Sequence, residues 1–251
     1  MFMRLVQVKV KPESSELIGD LYSQRILPTL HHTQGCLYAS LIRSTSVPHE
    51  AISLTLWESS GDADAYEQSG AFQQLITEAQ PYLSDSSEWK VQLSKDLTLE
   101  YAPVAEEPVI RSYSLATPSG EKPPPTVEGM LYIRILSVKL QPGKTEEFAG
   151  IYQREILPVL RNVSGCRYGF LTKGVEDQNE VISLTIWDSK EAADVYESSG
   201  LFQKLTRKVQ HTFSELYQWK LAAERQPNVQ VRTTEDMNVK GYQVVSGKIF
   251  H

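Results

Sequence analysis

The sequence predicts an α+β protein built from two tandem ferredoxin-like modules, each running strand–helix–strand–strand–helix–strand with an antiparallel sheet. Three observations carry this expectation: an internal repeat at a fixed offset, an orderly exchange of period-two and helical hydrophobic patterns within each copy, and sheet faces too apolar to leave in water. The offset is 130 residues throughout. Ile26-Leu27-Pro28 returns as Ile156-Leu157-Pro158, Gly35-Cys36 as Gly165-Cys166, and Glu50–Ser59 as Glu180–Ser189, with 34 of 90 positions identical between Arg4–Leu93 and Arg134–Ala223. A period this long makes each copy a domain rather than a solenoid turn. The expected organisation is a first module with a C-terminal extension over 1–116, a Pro-rich linker over 117–129, and a second module with its extension over 130–251.

Within one copy the elements follow in order. Arg4 to Val10 alternates, with Val6, Val8 and Val10 on one face and Leu5, Gln7 and Lys9 on the other, and reads as the first strand. Pro12 ends it. A helix is expected from about Ser14 to Ile26, with Leu17, Ile18 and Leu21 on its inner stripe and Phe148, Ile151 and Tyr152 as their second-copy counterparts. Pro28 lacks the N–H that a helix interior needs, so the helix should kink or restart there. Gly35 marks the turn into a second strand, Cys36 to Ile42, and Ile52 to Trp57 alternates strictly as a third. Asp62 to Leu75 reads as the second helix, with Ala65, Tyr66, Phe72 and Leu75 inward and a break at Ser69-Gly70. Glu88 to Leu93 is the expected fourth strand. Tyr113–Leu115 and Tyr242–Val244 look like short extra strands in the two tails.

Composition bounds the function without choosing it. The chain has 251 residues, 41% of them hydrophobic, and Lys+Arg 25 against Asp+Glu 31 leave a net charge of −6. An acidic surface disfavours nucleic acid and anionic membranes as partners. The sequence shows no membrane-length apolar run and no signal-peptide pattern, and two cysteines cannot make a disulfide framework. The expected location is therefore the cytoplasm.

Helices on one sheet face leave the other uncovered, and that face is expected to carry Trp57, Leu5, Cys36 and Tyr38. Pressing the two sheets together would cover it within one chain, giving a pseudo-twofold barrel with a cavity between the sheets. Further homo-oligomerisation stays open. The run Pro142-Gly143-Lys144-Thr145-Glu146-Glu147-Phe148, then Ile-Leu-Pro, Gly-Cys, Val181–Ala193 and Tyr196–Phe202 resembles the antibiotic biosynthesis monooxygenase (ABM) family. The resemblance implies the dimeric α+β barrel fold, here as an intramolecular pseudo-dimer.

That family includes heme-degrading members, and the resemblance places their axial histidine about ten residues after an aromatic residue of the second helix. Counting from Tyr66 and Tyr196 reaches Ile76 and Thr206, and their first-strand asparagine has no equivalent among Val6, Gln7 and Val8, so heme degradation is disfavoured. The histidines show no ligand-like spacing, and His31-His32 reads as a solvated pair. Cys36 and Cys166 read as small buried strand residues rather than nucleophiles. No Gly-rich phosphate loop follows a strand, so nucleotide and flavin lack local support and no cofactor is expected.

What remains is a pocket with aromatic walls and hydroxyl or amide groups. The candidate lining is Gln7, Tyr22, Ser53, Thr55, Trp57 and Tyr66 in the first copy, with Ser137, Tyr152, Ser183, Thr185, Trp187 and Tyr196 in the second. Lys9 and Lys139 could neutralise an enolate, although strand lysines usually reach water, and Glu67 and Glu197 read as surface charge. The resemblance implies a cofactor-independent monooxygenase, or a related small-molecule enzyme, acting on an aromatic or polyketide-like compound whose own anion reduces O₂. The alternative is a non-catalytic ligand-binding or structural module whose aromatic residues simply fill the core. An enclosed volume of about 300 Å³ or more would favour a ligand site.

Overall fold

A computed structural model describes residues 1–93, 99–105, 108–115, 131–175, 177–224 and 237–250; the linker expected over 117–129 lies outside the described residues. The chain divides into two units, Arg4–Arg111 with Val245–His251, and Ser112–Val244 with Met1–Met3. Each copy's core thus carries a segment from the opposite end of the other copy's sequence.

In the first-copy unit, β1 (Phe2–Lys9), β3 (Glu50–Trp57) and β2 (Cys36–Ser44) lie side by side in that order, and the end of β10 (Met237–Ile249) borders β2. Just beyond β10, the backbone N–H of Phe250 donates to Leu37 O at 2.9 Å. Helices α1 (Ser15–Leu21), α2 (Leu27–His31), α3 (Ser60–Gln68) and α4 (Ala71–Ala79) cover one face. In the second-copy unit the order is β10, β7 (Tyr132–Lys139), β9 (Glu180–Trp187), β8 (Cys166–Gly174) and β6 (Val109–Leu115). Its helices are α5 (Thr145–Ile151), α6 (Leu157–Leu160), α7 (Lys190–Ser198) and α8 (Leu201–Val209). Each unit is an antiparallel sheet with helices on one face, the half-barrel building block of the α+β class that the sequence predicts.

The fourth strand arises differently from the sequence expectation. Glu88–Leu93 does lie in a strand, β4 (Asp85–Leu93), but among the described residues β4 pairs with β5 (Leu99–Ala105) in a separate two-stranded sheet. The matching stretch of the second copy is a helix, α9 (Glu215–Glu224). Asp85-Ser86-Ser87 holds poor helix formers, whereas Glu215-Leu216-Tyr217 starts a helix capped by Ser214 Oγ, which accepts from the Tyr217 N–H at 3.1 Å. The position beside β7 is taken instead by Met237–Gln243 of β10. The tail strands expected at Tyr113–Leu115 and Tyr242–Val244 are both present: the first pairs with β8, the edge strand of the other copy.

The first helix does restart at the proline, with Pro28 in the first turn of α2. Between α1 and α2 the chain makes a wide turn, Tyr22–Ile26, in which the Leu27 N–H reaches Tyr22 O five residues back. This register removes the bond that Pro28 could not donate and the clash its ring would make. Tyr152–Ile156 repeats the turn before Pro158. Ser69-Gly70 does divide the second helix, with Gly70 at φ 79° between α3 and α4. Two inner-stripe assignments change. Leu17 is half exposed while Ile18 and Tyr22 are buried, and Ala63 rather than Ala65 faces the sheet.

Candidate functional site

In the first-copy unit a cavity of about 70 Å³ lies between the sheet and its helices. Its walls include Tyr22, Ser53, Thr55, Trp57 and Tyr66, together with Arg4, Phe72 and Ile76. The face bearing Ser53, Thr55 and Trp57 is therefore the helix-covered one, opposite to the sequence assignment. Period two cannot tell the faces of β3 apart, because Ile52, Leu54 and Leu56 on the other side are equally buried. A register shift between Cys36 and Tyr38 puts Cys36 opposite Trp57 and Tyr38 opposite Leu56, so the two residues, expected to share a face, point to opposite ones.

The polar groups inside are paired. Tyr22 Oη and Ser53 Oγ share a hydrogen bond of 3.0 Å. Trp57 Nε1 donates to Thr55 Oγ1 at 2.9 Å, and its ring lies 5.3 Å from that of Tyr66. Arg4 is a wall that the sequence reading missed. Its Nη1 donates to Ala63 O at 3.0 Å and lies 3.2 Å from Glu67 Oε2, and its Nη2 donates to Asp64 Oδ1 at 3.2 Å. The signal was present: a charged residue heads the alternating face Arg4-Val6-Val8 and recurs as Arg134. Gln7 faces away, donating from Nε2 to Glu50 Oε2 at 2.7 Å, and Lys9 is exposed.

The second-copy unit holds the equivalent cavity, about 40 Å³, lined by Tyr152, Ser183, Thr185 and Tyr196 among others. Tyr152 Oη and Ser183 Oγ are 2.8 Å apart. Trp187 is buried next to it, donating from Nε1 to Thr185 Oγ1 at 2.8 Å with its ring 5.1 Å from Tyr196. Ser137, like Gln7, lies off the cavity and donates to Glu180 Oε1 at 2.8 Å. Arg134 lies over the Phe202 ring, its Cζ 4.3 Å from the centroid, with Glu197 Oε2 3.6 Å from Nη2.

Burial dominates the electrostatics. Loss of solvent pushes Tyr22, Tyr66 and Tyr152 far above the ordinary tyrosine range, and Tyr196 up to about 12. The same cause pushes the Cys36 thiol up to about 12 and that of Cys166 up to about 11. At neutral pH these groups are donors or inert thiols, not bases or nucleophiles. Among the described residues neither cavity is lined by a carboxylate or a histidine, and no three His, Cys, Asp or Glu side chains gather as a metal-holding group. Also among the described residues, no helix is long and apolar enough to cross a membrane.

The family model for antibiotic biosynthesis monooxygenase matches residues 1–78 and 131–208. No curated protein matches the chain. Among solved structures it is similar to a candidate monooxygenase of Lactobacillus acidophilus, at 7% identity and a TM-score of 0.65 over 99% of this chain and 95% of that one. A candidate monooxygenase of Fusobacterium nucleatum gives 9% and 0.65 over 99% and 94%. An anthrone oxidase-like protein gives 13% and 0.60 over 99% and 92%. At such identities the likeness establishes the fold alone.

Proposed function

Because the chain belongs to the antibiotic biosynthesis monooxygenase family, we propose that it is a cofactor-independent monooxygenase of small phenolic aromatics, with the helix–sheet cavity as its site. The observation that supports this reading most is the cavity wall itself: indole and phenol rings, a Tyr22–Ser53 hydroxyl pair, and a single cation, Arg4. A phenol with a free para position can be converted as phenol plus O₂ to para-quinone plus water. The para C–H and the O–H break, one oxygen atom becomes the new carbonyl, and the other leaves as water with both hydrogens. The ring supplies all four electrons.

The protein's share is modest in kind. The elevated tyrosines donate hydrogen bonds to the substrate oxygen, and the guanidinium field favours the phenolate, whose proton passes to water. The aromatic walls orient the ring and exclude solvent. Ile76, close to the place where the resembling heme-degrading enzymes carry an axial histidine, lines this cavity and offers no nitrogen. A cytoplasmic protein acting on a small molecule, as an intramolecular pseudo-dimer, fits the acidic composition and the duplication.

The cavity volume favours a second reading, a ligand-binding or structural module without turnover. About 70 Å³ falls below the roughly 300 Å³ at the lower end of typical ligand pockets, so a fused polycycle would need the walls to open. An oxygen electrode with phenol, 1-naphthol and anthrone separates the two. Equimolar O₂ uptake and quinone absorbance support the enzyme. Binding without uptake above buffer across the panel supports the module and sinks the monooxygenase.

A further inference from the structure

Resting on the reading of the helix–sheet cavity as the ligand site, we infer that only the first copy's cavity takes the ligand, and that the first residue of the following helix, Ser60 or Lys190, decides it. The two cavities share Tyr, Ser, Thr and Arg walls, yet one is about 70 Å³ and the other about 40 Å³. The arginine is held differently in the two. In the first copy Asp64 accepts from Arg4 Nη2 at 3.2 Å and Ala63 O accepts from Nη1 at 3.0 Å, so the guanidinium is held against α3. The second copy keeps the aspartate, as Asp194, but puts a lysine where the first has Ser60. Lys190 Nζ donates to Asp194 Oδ2 at 2.6 Å, four residues on along α7. Without that carboxylate Arg134 lies over the Phe202 ring, and its Nη2, 3.6 Å from Glu197 Oε2, has no hydrogen-bond partner although the residue is only 5% exposed.

Packing at the far end reinforces the closure. Ile18 and Leu83 of the first copy are Phe148 and Phe213 in the second, their rings 6.3 Å apart, and Tyr217 packs edge-on against Phe213 at 4.9 Å. The duplicate has thus given up part of its cavity to aromatic core, while the first copy keeps the larger space.

The full chain titrated with 4-fluorophenol, followed by fluorine NMR, tests this, with the arginine side-chain Nε–Hε signals recorded in parallel. Wild type should saturate at one equivalent. Ser60→Lys, a surface change to the residue already tolerated at the same place in the second copy, should weaken binding at least tenfold by capturing Asp64. The Arg134 Hε signal should sit upfield under the Phe202 ring current and move downfield in Lys190→Ser, a readout that needs no ligand. Saturation at two equal sites, binding by Ser60→Lys within twofold of wild type, or an Arg134 signal indifferent to Lys190→Ser overturns the division between copies while leaving the ligand site standing. No binding by wild type sinks the ligand-site reading, and this inference with it.

Discussion

Removing the hydroxyl of Tyr22 tests whether the cavity wall is as wet and as paired as its geometry implies. Tyr22 is fully buried, and its oxygen lies 3.0 Å from Ser53 Oγ. A hydrogen bond between buried neutral groups contributes about 0.5–1.5 kcal/mol net, and stranding the remaining partner costs about 1–3 kcal/mol. Ser53, however, is only half-buried and borders a cavity of about 70 Å³, when about 15 Å³ suffices for a water. Water can therefore replace the lost hydroxyl, and Tyr22→Phe should cost about 1 kcal/mol. Ser183 lines a cavity of about 40 Å³, which also exceeds that volume, so Tyr152→Phe should likewise cost about 1 kcal/mol. The Tyr22→Phe/Ser53→Ala cycle, measured from urea midpoints at unchanged m-values, should return a coupling of about 1 kcal/mol. Additivity within about 0.3 kcal/mol, or a loss of about 3 kcal/mol at either tyrosine, refutes the reasoning.

Three further outcomes follow from the same coordinates. Gly35→Ala should destabilise more than Gly70→Ala in thermal melts: both sit at φ near +75 to +79°, but a Cβ at Gly35 would collide with Asp62 Cγ whereas nothing lies within 4 Å at Gly70, where only the left-handed backbone penalty of about 1–2 kcal/mol remains. Alkali should unfold the protein more readily than the composition suggests. The folded pKa values of Cys36, Tyr22 and Tyr152 stand above their unfolded values of 9.0 for the thiol and 10.0 for the phenols. Their contribution is therefore full below those values and drains as pH rises past them, at about 1.4 kcal/mol per pH unit for each group, and a flat stability curve from pH 9 to 11 would contradict it. Phe250→Ala should cost about 2–3 kcal/mol, below the usual range for a central phenylalanine because the residue lies just beyond β10, and hydrogen exchange should quicken in β2 but not in β8.

Much of the fold was legible because the repeat doubles each weak local signal. The period-two pattern of β3, the breaks at Gly70 and Gly200 and the turns at Gly35 and Gly165 each recur with the same geometry. Orientation was not legible. Both faces of β3 are buried, so alternation marks two sides without saying which meets the helices, and Trp57 was assigned to the wrong one. A bulge at Cys36/Tyr38 leaves no trace in hydrophobicity, since both residues are apolar enough for either face. The fourth strand was misjudged for a different reason. Trp89-Lys90 and Trp219-Lys220 are identical, yet the stretches fold as strand and helix, because a few neighbours tip local propensity and the sheet position is filled from 237 onward. In the site, aromatic and hydroxyl residues announced themselves by type, whereas Arg4 and Arg134 were passed over because a strand arginine usually reaches water.

The proline and the cavity hydroxyl are parts of one device. An uninterrupted α-helix from Ser15 to His31 would ask Pro28 for an N–H it lacks and would set its ring against the carbonyl of Gln24. The wide turn absorbs one extra residue, so Tyr22 at its start and Leu27 and Leu30 after it are all buried. That residue lets a helix carrying an interior proline keep an apolar stripe on the sheet while turning a phenol toward Ser53. The same sequence, Tyr-x-x-x-Ile-Leu-Pro, places Tyr152 against Ser183 in the second copy. The hydroxyl geometry therefore belongs to the shared scaffold, and what differs between copies must come from residues around it. Ile18 against Phe148, Leu83 against Phe213, Val6 against Leu136, Ile76 against Thr206 and Ala79 against Val209 are among those residues, and they alter the space beside the hydroxyl pair rather than the pair itself.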